Sequence, residues 1–174
     1  RGLTVQAFYL RSRRSLIALY REWRRFRREL DEFQPDIVHA QFGTMTAFFA
    51  VLSTRLPLVV TYRGSDLNPV PSISRVRRWL GLFLSQISAL RAQRIVCVSE
   101  ELGARLWWCQ DKVAVIPSGV DTVRFVPMER NTAREELGWD VASKVVVFNA
   151  GRMPKVKRLD VAETVFEIVR NSVP

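Results

Sequence analysis

Four short runs of apolar and β-branched residues recur along the chain: Asp36-Ile-Val-His-Ala40, Leu58-Val-Val-Thr-Tyr62, Arg94-Ile-Val-Cys-Val98 and Val113-Ala-Val-Ile116. Runs that are apolar almost throughout, rather than alternating, belong to strands buried on both faces. A parallel sheet flanked by helices is the arrangement that buries them so. Helical segments fill the intervals, at about 44–56, 72–92 and 100–109. The pattern predicts an α/β fold with a Rossmann-like, doubly wound parallel sheet.

Ahead of the first run, residues 11–34 read as one amphipathic helix. Leu16, Leu19, Trp23, Phe26 and Leu30 recur at spacings of three and four and line one face. Arg13, Arg14, Arg21, Arg24, Arg25, Arg27 and Arg28 fall elsewhere. The helix is expected to stop at Gln34-Pro35, because the residue before a proline avoids helical dihedrals. After the fourth run, Pro117-Ser-Gly-Val-Asp-Thr-Val-Arg-Phe-Val-Pro127 is too rich in breakers to be another βα unit. A short helix at about 132–137, closed by Gly138, then leads to a fifth apolar run, Lys144-Val-Val-Val-Phe-Asn149, and a helix from about 157 to 169. The expected organisation is a domain over 1–127 and the first β-α unit of a second Rossmann-like domain over 128–174.

Charge narrows the function. A net charge of +10 points to an anionic partner: nucleic acid, an anionic membrane surface or a phosphorylated ligand. Half of that surplus lies in residues 1–34, where nine arginines meet four acids. No apolar run approaches the eighteen or so residues of a membrane span. Cys97 and Cys109 are too few for a zinc site or a disulfide framework, and Cys97 reads as a small core hydrophobe. With His39 the only histidine, a Ser-His-Asp or Cys-His site cannot be read from the sequence.

Two stretches could carry chemistry. Gly151-Arg-Met-Pro-Lys-Val-Lys157 follows the fifth run and places Arg152, Lys155 and Lys157 beside an expected helix start. An anion there would meet a guanidinium fork, an ammonium and free amides; the alternative is a solvated loop in a chain basic throughout. Thr61-Tyr-Arg-Gly-Ser-Asp-Leu-Asn68 leaves the carboxyl end of a strand, where open α/β sheets bind ligands. Arg63 and Asp66 could hold a polar ligand there, or pair with each other. His39 and Gln41 end a neighbouring strand, followed by Phe42-Gly43, and either face the same crevice or serve the fold. The classical phosphate fingerprints G-x-x-x-x-G-K-[ST] and G-x-G-x-x-G do not occur.

Taken in order, Asp36–Gly43, Val60–Asp66, Ile95–Glu100, Ile116–Asp121 with Arg124, Phe125 and Pro127, and Gly151–Lys157 resemble the retaining glycosyltransferases of family 4, which have the GT-B fold. The resemblance implies that Gly151, Arg152 and Lys157 match a G-R-x-x-x-x-K grip on the diphosphate of a nucleotide-sugar donor. It implies an acceptor-side cleft around Arg63, Gly64, Asp66, His39 and Gly43. Arginine stands at position 63, where the family's H-G-x-D turn has histidine, so no neutral imidazole is available there. The implied activity is sugar transfer to a lipid-linked or polysaccharide acceptor in bacterial surface or exopolysaccharide synthesis, hexosyl in type, with no metal or other cofactor. No catalytic residue is assigned.

The resemblance lacks the family's N-terminal glycine-rich loop and its C-terminal E-x7-E motif, so the chain is expected to be a fragment and inactive alone. An inactive truncated remnant and a basic nucleic-acid-binding domain remain the competing readings. Against the latter, Trp23 and Phe26 of the basic run fall on the helix face expected to serve the core, not on a stacking platform. The expected location is cytoplasmic, with residues 11–34 touching an anionic membrane surface.

Overall fold

A computed structural model describes residues 2–12, 15–68, 74–151 and 154–172. It divides into two compact units, residues 1–118 and 119–174.

Unit 1 is a four-stranded, wholly parallel sheet in the order β1 (Val38–Gln41), β2 (Leu58–Tyr62), β3 (Arg94–Cys97), β4 (Val113–Val115). The helices between them are α2 (Thr44–Ser53), α3 (Arg75–Arg91) and α4 (Glu100–Gly103), and α1 (Leu16–Phe33) precedes the sheet. This is the expected Rossmann-like α/β arrangement. Register places Val38 opposite Leu58, Val60 opposite Ile95 and Cys97 opposite Val115. Because strand side chains alternate, one face collects Ala40, Leu58, Val60, Tyr62, Ile95 and Cys97. These pack with Ala47 and Ala50 of α2, Ala89 of α3 and Leu102 of α4 as one core. The intervening residues, His39, Gln41, Val59, Thr61 and Val96, look to the other face.

Local chemistry accounts for several boundaries, and some differ from expectation. α1 starts at Leu16, where the Ser15 hydroxyl accepts from the Ala18 amide, and stops at Gln34 in a left-handed conformation. Its burial is rotated from the predicted stripe. Phe26 is buried against Phe8 and Phe49, whereas Leu16 is 85% exposed and Trp23 36%. Arg25 turns inward as well, lying over the Phe8 ring and paired with both Glu22 and Glu29. The helix expected over 100–109 ends at Gly103. Buried Gln86 draws the following chain away, accepting from the Trp107 amide through its side chain and from Trp108 Nε1 through its carbonyl.

Unit 2 holds α5 (Arg130–Glu136), α6 (Pro154–Lys157) and α7 (Leu159–Ser172). Glu129 caps α5 by accepting from the amides of Asn131 and Thr132, and Gly138 follows it at φ 66°. The strand expected at 144–149 does not form among the described residues. The helix expected from 157 begins at Leu159, with Arg158 at φ 59° between it and α6. Lys157 therefore ends a short helix rather than opening a long one.

Candidate functional site

The carboxyl ends of β1 and β2 place two turns side by side, and Asp66 joins them. Its side chain is 1% exposed, and its carboxylate accepts from the amides of Gly43 (3.0 Å), Gly64 (2.9 Å) and Arg63 (3.1 Å). The pairing with the Arg63 guanidinium considered from sequence does not occur; the carboxylate is engaged by backbone amides. Three backbone donors in two turns need a buried acceptor, and the aspartate supplies it. Gly43 is required for space: a Cβ there would stand 2.6 Å from the Tyr62 ring. Gly64 is required for conformation, at φ 137° with open space around it. On either side of Gly43, Phe42 at φ 105° and Thr44 at φ 50° hold unfavourable positive-φ geometry. Strain of that kind persists where surroundings over-determine the backbone, and it gathers at binding sites.

On this frame sits a polar row on the sheet face opposite the core. The Arg63 guanidinium donates to Gln41 Oε1 at 3.0 Å. With its oxygen held there, the Gln41 amide turns its NH2 toward His39, 3.1 Å from Nε2. The same amide nitrogen lies 3.4 Å from Nδ1, so it reaches both ring nitrogens. Thr61 Oγ1 lies 2.8 Å from Nε2. Burial, reinforced by the Arg63 charge, holds the His39 pKa below its usual 6.5, so the ring is neutral at physiological pH. The row presents a cation, an amide and a neutral imidazole along one strand end, a set suited to sugar hydroxyls or a phosphate.

Of the residues singled out from sequence, His39 and Arg63 meet in this row through Gln41, while Gly43, Gly64 and Asp66 frame it. Thr61 opens the stretch 61–68, but no role of its own is legible for it in the sequence. Its register opposite Gln41, two residues beyond the partner of His39, is the signal that would have found it. Cys97 is buried in the core, and burial, with the Asp66 charge next, pushes its thiol up to about 11, so it stays protonated.

The second expected site lies in unit 2. Gly151 turns at φ 52° and Lys157 is exposed, while Arg152 lies outside the described residues. Arg158 is engaged by Asp160 at 2.9 Å. Among the described residues, no group of three or more His, Cys, Asp or Glu side chains is placed to hold a metal ion. No helix among them is long and apolar enough to cross a membrane.

A family model described as Glycosyltransferase Family 4 matches residues 1–124. Two solved structures share weaker likeness. The S. aureus MnaA-UDP co-structure aligns at 14% identity and a TM-score of 0.45, over 65% of this chain and 29% of its own. A putative UDP-N-acetylglucosamine 2-epimerase from Listeria monocytogenes aligns at 15% identity and a TM-score of 0.45, over 61% of this chain and 29% of its own. The chain thus spans under a third of the length of these structures. No curated protein matches the sequence.

Proposed function

The chain belongs to glycosyltransferase family 4, and from that membership we propose that the protein transfers a sugar, with retention, from a nucleotide-sugar donor to a lipid-linked or polysaccharide acceptor in bacterial surface or exopolysaccharide synthesis. The observation that carries this reading is the family match, which spans the whole of unit 1. In the proposed chemistry, Arg152 and Lys157 hold the donor diphosphate after the turn at Gly151. As the glycosidic bond breaks, negative charge grows on the leaving nucleotide, and fixed cations stabilise it without a metal. His39, Gln41 and Arg63 meet the hydroxyls or phosphate of the acceptor, and Asp66, Gly43 and Gly64 keep the row in place. The protein works at the cytoplasmic face of the membrane, with the outward arginines of the 11–34 region, Arg21, Arg24, Arg27 and Arg28, against anionic headgroups.

The test is calorimetric titration with UDP and GDP, paired with transfer of labelled sugar from a panel of nucleotide sugars into a lipid extract. Removing one charge-assisted contact costs about 1.5–3 kcal/mol. Arg152→Ala and Lys157→Ala are therefore each expected to weaken nucleotide binding by about tenfold or more. A chain that binds neither nucleotide, or variants that bind as the parent does, would overturn the donor assignment.

A further inference from the structure

Resting on the transferase reading, we infer that Arg63 seats an oxyanion of the acceptor, a sugar carboxylate or a lipid diphosphate, and so selects charged acceptors over neutral ones. Carboxylates are scarce around this side chain. From Ile37 to Ser99, the stretch that builds β1, β2, β3 and the helices between them, the only acid is Asp66, against seven arginines. That aspartate is buried and committed to the amides of Gly43, Arg63 and Gly64. It fixes the Arg63 backbone and leaves the Arg63 side chain without a counter-charge. Beyond β3, Glu100 and Glu101 open α4; Glu101 pairs with Arg105, and among the described residues neither pairs with Arg63.

What holds the guanidinium is neutral. Gln41 Oε1 accepts from one terminal nitrogen at 3.0 Å and fixes the plane of the fork, while the side chain stays exposed. The remaining N–H groups suit the paired oxygens of a carboxylate or a phosphate. Beside them, Thr61 Oγ1 and the neutral His39 ring can hydrogen-bond a hydroxyl of the same molecule. A fixed cation next to two neutral polar groups fits an acidic sugar, or the first sugar of a lipid-linked acceptor together with its diphosphate. Histidine, which the resembling family has at this turn, would offer no such fork, so the selection belongs to this chain.

The experiment is NMR titration of the full chain, following the Arg63 Nε–H and the C2–H of His39, the only histidine. The probes are methyl glucuronide, a short-chain prenyl diphosphate sugar, methyl glucoside and UDP. A response to the glucuronide identifies a sugar carboxylate, and a response to the prenyl compound alone identifies the lipid diphosphate. Methyl glucoside is expected to bind about tenfold more weakly or not at all. Arg63→Gln keeps the backbone amide that Asp66 accepts from, and is expected to weaken the charged probe by about tenfold or more. Gln41→Glu sets a carboxylate where Gln41 Oε1 now accepts, so the chain supplies its own oxyanion, and the charged probe should lose as much. A merely structural Arg63 would not respond this way, because Gln41→Glu holds it in place. Equal binding of glucoside and charged probes, or charged-probe binding unchanged in both variants, would overturn the inference. So would UDP shifting both signals as strongly and losing that effect in Arg63→Gln, which assigns the cation to the donor. A chain that binds UDP but none of the sugar probes overturns the inference and leaves the transferase reading standing. Arg63-dependent binding of a charged probe without any nucleotide binding keeps the seat and overturns that reading instead.

Discussion

Leu58–Tyr62 in unit 1 and Val145–Phe148 in unit 2 are similar as sequence: short, apolar and rich in valine. They end up in opposite states. Leu58, Val60 and Tyr62 are at most 1% exposed, whereas Val145, Val146, Val147 and Phe148 range from 40% to 77%. The difference is neighbours. β2 pairs with β1 on one side and β3 on the other, so its peptide groups are satisfied and helices can close over it. Among the described residues, 145–148 forms no strand. α7, whose Val161, Val165, Phe166 and Val169 would suit such a strand, buries nothing. Composition says where a strand can form; pairing decides whether it does.

The sharpest way to break unit 1 acts on the tie between its turns. Asp66→Ala leaves the amides of Gly43, Arg63 and Gly64 without their acceptor. Several unsatisfied buried donors together cost on the order of 3–5 kcal/mol. A denaturant titration should show a loss of that size, with a smaller one for Asp66→Asn, which retains an oxygen acceptor. A loss near zero for Asp66→Ala would mean that the two turns hold each other by other contacts.

A matched pair of substitutions sharpens the contrast between the units. Val60→Ala removes two methyl groups from a fully buried site, at a cost of about 2 kcal/mol with the cavity included. Val147→Ala, at an exposed site, should stay within about 0.5 kcal/mol. Amide hydrogen exchange should agree, with β2 amides protected and those of Val145–Phe148 open. Equal costs for the two substitutions would show that the fifth run is buried in solution.

The sequence showed unit 1 best where its signal was local. Each of the four apolar runs became a strand within two residues of the expected ends, and α3 kept its place. What stayed hidden was set by contacts far along the chain. Gln86 shortens the helix after Glu100 from twenty-one residues away. Asp66 was visible in a glycine turn at a strand end, but its tie to Gly43, twenty-three residues back, was not. Arg25 sits among seven other arginines of the 11–34 region and is distinguished by meeting Phe8, Glu22 and Glu29. The polar row was half visible: His39, Gln41 and Arg63 stood at strand ends, but that Gln41 bridges the other two depends on the register of β1 against β2.

The smallest expected effect tests the coupling between His39 and Arg63 within that row. His39 is the only histidine, so a proton spectrum contains a single ring C2–H pair to follow with pH. Burial first and the Arg63 cation second favour the neutral ring, so the midpoint should lie below 6.5. The sign for stability follows. As pH falls below about 6.5, the unfolded chain takes up the proton before the folded one. This contribution is therefore fully present above that pH and declines down to the folded midpoint. Arg63→Met removes the lesser cause, so the midpoint should rise while staying under 6.5. A parent midpoint at or above 6.5 would show that neither burial nor the Arg63 charge acts on the ring. A midpoint unmoved in Arg63→Met would keep the burial but separate Arg63 from the row.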